Sequence, residues 1–200
     1  MPGVTHMLYL HGFRSSPASF KARRMAQWLA QHRPDVTWWC PQLPPSPADA
    51  WRLIEQGIAS WPVAEMAVIG SSLGGFYATA VAEATGCPAV LLNPAVDPAR
   101  DLAPHVGPQT QFHAPADHFD FRAAYLEELR ALTPPAITRP DRYAAVIAQG
   151  DEVLSWREMT GRYPGARIRL LPGSDHALSD FEDHLPFVLG FLLEQAPPCD

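Results

Sequence analysis

Ser72 lies at the centre of Gly70-Ser71-Ser72-Leu73-Gly74, a G-x-S-x-G pattern. An apolar run, Met66 to Ile69, leads into it, and a small-residue helical pattern from Gly75 to Ala82 leads away. Strand, tight turn and helix are the setting of a nucleophile elbow, in which a strained turn presents a serine hydroxyl. The frame selects Ser72 over Ser71, because Ser71 would need glycines where Ile69 and Leu73 stand. A lone pattern of this kind is also an ordinary glycine-rich turn. The rest of the chain has to supply the chemistry.

A serine hydroxyl is a weak nucleophile at neutral pH and needs a base to take its proton. Histidine suits that task because its unperturbed pKa, about 6.5, lies near working pH. A buried carboxylate then fixes the imidazole tautomer and stabilises the imidazolium. His176 ends the turn-rich stretch Gly173-Ser174-Asp175-His176, and Asp151 follows the apolar run Tyr143 to Ala148. The order Ser72, Asp151, His176 is the Ser, acid, His order of α/β-hydrolases. Among the other histidines, His184 falls in a helical pattern and His6 precedes the first strand. Asp97 rivals Asp151 because it follows the turn Asn93-Pro94, and Asp175 adjoins the histidine itself. Asp151 is favoured on strand-end position, and geometry decides.

An oxyanion needs donors aimed at where its charge develops. The backbone N–H of Leu73, next after the serine, is one candidate, and that of Phe13, in the loop after the first strand, is the other. His11-Gly12 is then structural. Arg14 and Trp156 are weaker candidates for substrate contact, since such an arginine is more often solvated or ion-paired and most tryptophans here suit a core. His105, His113, His118, Asp117 and Asp120 match no zinc spacing. We expect no metal and no cofactor.

The elements that position these residues alternate. Apolar runs are expected as strands at Met7–Leu10, Val36–Cys40, Met66–Ile69, Ala89–Leu92, Tyr143–Ala148 and Arg167–Leu171. Helical patterns fall at about 20–32, 48–60, 75–86, 121–132, 155–163 and 180–194, with Ser19 a plausible N-cap for the first. The proline-rich stretch Pro41–Pro47 reads as loop. This alternation predicts a doubly wound, mostly parallel α/β sheet. Ligands of such sheets lie beyond the carboxyl ends of the strands. Four of those ends carry His11-Gly12-Phe13, Ser72, Asp151 and His176. We expect one domain over residues 1–200, with a small cap formed by about 97–140.

The chain has 200 residues, 47% of them hydrophobic, and a formal net charge of −6. That balance argues against nucleic acid or an anionic membrane as partner. Arginines supply nearly all the basic charge. Lys21 is the only lysine, a trait that reads as genome composition. Three unclustered cysteines, Cys40, Cys87 and Cys199, fit a reduced protein. No leader-like stretch opens the sequence and no apolar run is long enough to cross a bilayer, so we expect a cytoplasmic protein without membrane insertion.

The stretches L-Y-L-H-G-F-R-S-S-P (8–17), G-S-S-L-G-G-F-Y-A-T (70–79), L-N-P-A-V (92–96), Q-G-D-E-V-L (149–154) and G-S-D-H-A (173–177) resemble the YqiA-like small bacterial esterases of the α/β-hydrolase superfamily. The resemblance implies a cytoplasmic serine esterase with a minimal cap, acting on simple esters and acyl thioesters such as acyl-CoA. It implies catalytic roles for Ser72, Asp151 and His176. Segment 97–140 does not match. Two alternatives stand beside hydrolysis of a small-molecule ester or thioester. One is an acyltransferase using the same triad, and the other is a non-catalytic binding protein on a hydrolase fold.

Overall fold

The apolar runs become six parallel strands in the order β2-β1-β3-β4-β7-β8. They are β1 (His6–Leu10), β2 (Thr37–Trp39), β3 (Met66–Ser71), β4 (Ala89–Leu92), β7 (Tyr143–Ala148) and β8 (Arg167–Leu171). This is a computed structural model, and it describes residues 3–194. Every residue of β3, β4 and β7 is buried, as expected of parallel strands covered on both faces. Alternate side chains feed two cores. Leu8, Leu10, Val68, Leu91 and Ile147 pack with helices α2 (Pro47–Ile58), α3 (Leu73–Thr85) and α6 (Trp156–Arg162). Met7, Tyr9, Ile69, Val90 and Val146 pack with α1 (Phe20–His32) and α7 (Phe181–Glu194).

Register aligns the chemistry. Leu10 pairs with Gly70, Ser71 with Leu92, and Leu92 with Val146. The residues that follow these partners therefore share one edge of the sheet. The chain leaves β1 toward β2 on one side, whereas β3 lies on the other. The crevice between β1 and β3 is thus a topological switch point, with Phe13 and Ser72 just beyond its two strands.

Local rules explain most boundaries. Gly86 ends α3 in the left-handed conformation, φ 77°, with its N–H on the Ala82 carbonyl. Pro47 belongs to α2 rather than to the preceding loop. It occupies the first helical position, where a missing N–H costs nothing, and Ser46 caps the helix through the Asp49 N–H. Ser19 does stand at the N-cap of α1, but its side chain makes no capping bond.

The segment between β4 and β7 departs most from expectation. It holds α4 (Pro98–Asp101), an antiparallel hairpin of β5 (Gly107–Thr110) and β6 (His118–Phe121), and α5 (Ala124–Leu132). Only a helix was expected there, beginning at Phe121. That residue instead ends β6 and is fully buried. Gly-Pro-Gln-Thr lacks the β-branched and aromatic residues that mark a strand. Its proline is tolerated because the two-stranded ribbon is all edge. Glu128 of α5 ties the segment to the body, accepting hydrogen bonds from Ser46 Oγ (2.8 Å) and the Ala48 N–H (2.9 Å). Among the described residues, no helix is long and apolar enough to cross a membrane.

Candidate active site

Ser72 sits between β3 and α3 with φ 55° and ψ −121°. A non-glycine residue in this region carries strain of roughly 1–3 kcal/mol, sustained by its surroundings. Those surroundings are backbone bonds and close packing. The Ser72 N–H donates to Leu92 O (3.0 Å), and Ser72 O accepts from Gly75 N (2.8 Å) and Ala95 N (3.0 Å). A Cβ at Gly74 would overlap the Leu10 carbonyl, and one at Gly70 would overlap Gly74. The glycines on both sides are therefore required by the close seating of α3 on β1 and β3.

His176 Nε2 lies 3.0 Å from Ser72 Oγ, and His176 Nδ1 lies 2.8 Å from Asp151 Oδ2. The Asp151 carboxylate is wholly inaccessible to solvent, whereas the His176 side chain is 21% exposed. The other oxygen, Oδ1, accepts from the N–H groups of Val153 (2.8 Å) and Leu154 (2.7 Å). Asp151 thus faces the imidazole with one oxygen while the loop backbone holds the other. A hydroxyl, an imidazole and a buried carboxylate in this line can form and resolve an acyl-serine.

The rival residues are engaged elsewhere. Asp97 is exposed and caps α4 through the Arg100 N–H. Asp175 accepts from Ser179 N and Oγ. His184 pairs with Asp180 at 3.0 Å, and His6 packs on Trp61 at the far end of β1. His11 is structural. Its Nε2 accepts from the Leu43 N–H (3.0 Å), its Nδ1 faces Gly12 O (2.9 Å), and burial lowers its pKa.

Leu73 begins α3, and Phe13 lies in the loop after β1, on the two sides of Ser72. Among the described residues neither backbone N–H donates to a protein acceptor. The Phe13 ring packs edge-on to Phe121 at 5.1 Å. Arg14 is committed to the hairpin. Its Nε donates to Thr110 O (2.7 Å), its Nη2 to Thr110 Oγ1 (3.1 Å), and it stacks on Phe112 at 4.5 Å. Trp156 packs partly buried against the core under Arg157 and lines neither cavity at Ser72. Among the described residues no three His, Cys, Asp or Glu side chains form a metal cluster. Cys40 and Cys87 are unpaired, and Cys199 lies outside the described residues.

Two cavities meet at Ser72 and His176, with Phe13 and Phe112 bordering both. One, about 390 Å3, is lined by Leu73, Ala95, Leu102, Val153 and Leu154. The other, about 470 Å3, runs toward Tyr9, Ser19 and Lys21.

Sequence reasoning missed Asn93. It is buried at the end of β4 with φ 42°. Its Oδ1 accepts from the Ala148 N–H (2.8 Å), and its Nδ2 donates to the carbonyls of Asp175 (3.0 Å) and His176 (3.2 Å). One amide thereby joins the strand that leads to the acid to the loop that carries the base. Asparagine supplies donor and acceptor together and tolerates positive φ. The only signal was Asn-Pro at a strand end, which reads equally as a turn. Glu152 was also missed, and its Oε2 accepts the His176 N–H (3.0 Å).

The parallel sheet and the elbow define an α/β-hydrolase fold. The chain belongs to the uncharacterised protein family UPF0227, the YqiA family, whose model matches residues 6–193. Solved structures of similar fold include alpha/beta hydrolase domain-containing protein 10 from mouse (TM-score 0.68, 14% identity, covering 94% of this chain and 89% of that one). Est1E from Butyrivibrio proteoclasticus, with ferulic acid bound, matches with a TM-score of 0.68 at 14% identity, covering 96% and 90%. Carboxylesterase CesB (YbfK) from Bacillus subtilis matches with a TM-score of 0.62 at 15% identity, covering 96% and 85%.

Proposed function

We propose that this protein is a serine hydrolase that cleaves small carboxylic esters and acyl thioesters through an acyl-enzyme. The observation that carries the reading is the continuous line from a strained serine through an imidazole to a solvent-excluded carboxylate. Ser72 Oγ attacks the substrate carbonyl as His176 Nε2 takes its proton. The oxyanion is met by the N–H groups of Leu73 and Phe13, which carry no protein acceptor among the described residues. His176 then gives the proton to the departing alkoxide or thiolate. Water, deprotonated by the same imidazole, attacks the acyl-serine and releases the acid. Asp151 Oδ2 accepts from His176 Nδ1–H and keeps the imidazole in that orientation throughout. No step calls for a cofactor.

We read residues 3–194 as one catalytic unit with segment 97–140 as its small cap, and a small molecule as its substrate. Esterases among the fold relatives support that substrate class. The unpaired thiols of Cys40 and Cys87 suit a reducing compartment such as the cytoplasm. The test is labelling with a fluorescent fluorophosphonate. The parent protein is expected to label and Ser72→Ala is not. A folded parent that stays unlabelled, or a variant that labels equally, overturns the reading.

A further inference from the structure

Lys21 is placed by the fold, not scattered by composition. It occupies the first turn of α1, a helix with no acidic residue in that turn and no side-chain cap. Cations are disfavoured at helix N-termini, where uncapped N–H groups already present positive charge. Among the described residues no carboxylate forms a salt bridge with Lys21. Its ammonium donates to Ala177 O, next to the catalytic histidine. An ammonium has three donors, so two remain.

The same cavity holds a second anomaly. Tyr9 lines it at 0% exposure, and its hydroxyl, with Ser19 and Ser71 beside it, makes no hydrogen bond of normal geometry. Ser19 Oγ, also lining it, is buried and unpartnered. Burial pushes the Tyr9 pKa up, so its hydroxyl stays a donor. Buried polar groups without partners are rare, and each asks for an explanation. Here a cation on a helix N-terminus and two unsatisfied hydroxyls converge in a cavity that opens onto Ser72.

We infer that the Tyr9–Ser19–Lys21 end of this cavity binds a carboxylate carried by the substrate, so that the preferred esters are anionic. The inference rests on the esterase reading for its substrate but not for its site. Burial lowers the Lys21 pKa to about 8, against the opposing pull of Asp175 and Asp151. The groups around it are Tyr9 of β1, His11 just after β1, His113 after β5, Asp151 after β7, and Asp175 and His176 after β8. Anion recognition is therefore present below about pH 8 and fades as pH rises through that value.

The test compares kcat/KM within two matched pairs. Mono-4-nitrophenyl adipate against 4-nitrophenyl hexanoate puts the charge on the acyl side. 4-Acetoxybenzoate against 4-acetoxybenzamide puts it on the leaving group. The parent is expected to favour the anionic member of one pair by about tenfold, the scale of a hydrogen bond to a charged group. The pair that responds identifies the side. Lys21→Met should collapse that ratio, Lys21→Arg should keep it, and raising pH through 8 should erode it in the parent. Using a ratio cancels any pH dependence common to both members of a pair. Adipate should also raise the Tm of Ser72→Ala, but not of the Ser72→Ala/Lys21→Met double variant, with hexanamide as neutral control. That arm decides the anion site even if no ester is turned over. An unchanged ratio in Lys21→Met, or equal stabilisation of both proteins by adipate, overturns the inference.

Discussion

Asp151 divides its two oxygens between different tasks, and that division predicts what an amide would do in its place. Oδ1 accepts from two backbone N–H groups, whereas Oδ2 faces His176 Nδ1. In Asp151→Asn the carbonyl oxygen must keep the backbone bonds, because the NH2 group cannot accept them. The NH2 then faces Nδ1 and forces the proton onto Nε2. An imidazole protonated at Nε2 cannot take the Ser72 proton. We expect kcat to fall by about 10^3 to 10^4, with Tm almost unchanged because the loop bonds survive. Steady-state kinetics on 4-nitrophenyl esters and a thermal melt would check both. A large loss of stability with little loss of kcat would assign Asp151 to the loop rather than to the imidazole. At this scale the sequence was informative about types and order. It was silent about Asn93, whose bonds cross 55, 82 and 83 positions of chain, and about Lys21, whose position only the fold makes unusual.

Elements are where close approach decides tolerance. α3 lies so near β1 that a Cβ at Gly74 would meet the Leu10 carbonyl, a backbone atom that no rotamer change can move. Gly74→Ala is expected to destabilise by about 2–4 kcal/mol, as overpacking against rigid neighbours does. Gly161 is the internal control. It lies within α6 and a Cβ there would meet nothing within 4 Å. Gly161→Ala is expected to be neutral or to stabilise by up to about 1 kcal/mol, since alanine favours helix and restricts the unfolded chain. Denaturant titrations of the two variants separate crowding from propensity, and similar values would remove the packing argument. The contrast also accounts for what was legible. β3, β4 and β7 are buried on both faces, so each is an uninterrupted apolar run. In the β5–β6 ribbon only β6, His-Phe-Asp-Phe, alternates aromatic and polar residues, whereas Gly-Pro-Gln-Thr of β5 carries no strand signal of its own.

At the scale of the whole molecule, one edge of the parallel sheet carries Ser72, Asp151 and His176, and the segment between β4 and β7 borders the space beside them. Arg14 is one polar link between the two, beside the Glu128 bonds to Ser46 and Ala48. Its guanidinium holds Thr110 through two bonds and stacks on Phe112, the residue bordering both cavities. One backbone bond, from the Phe112 N–H to Arg14 O (2.8 Å), survives any side-chain change. Arg14→Ala therefore loosens the hairpin without detaching it. The triad does not depend on this link, since its supports come from β4, β7 and the loop after β8. KM is then expected to rise about three- to tenfold, the worth of a hydrogen bond or two and a cation–π contact, with a smaller change in kcat. The rise should grow with acyl length, because longer chains lean more on Phe112. Michaelis curves over a series of 4-nitrophenyl esters from acetate to octanoate give the answer. A fall in kcat that is equal at every length would mean that the hairpin acts on Phe13, and so on the oxyanion, rather than on the walls that receive the substrate.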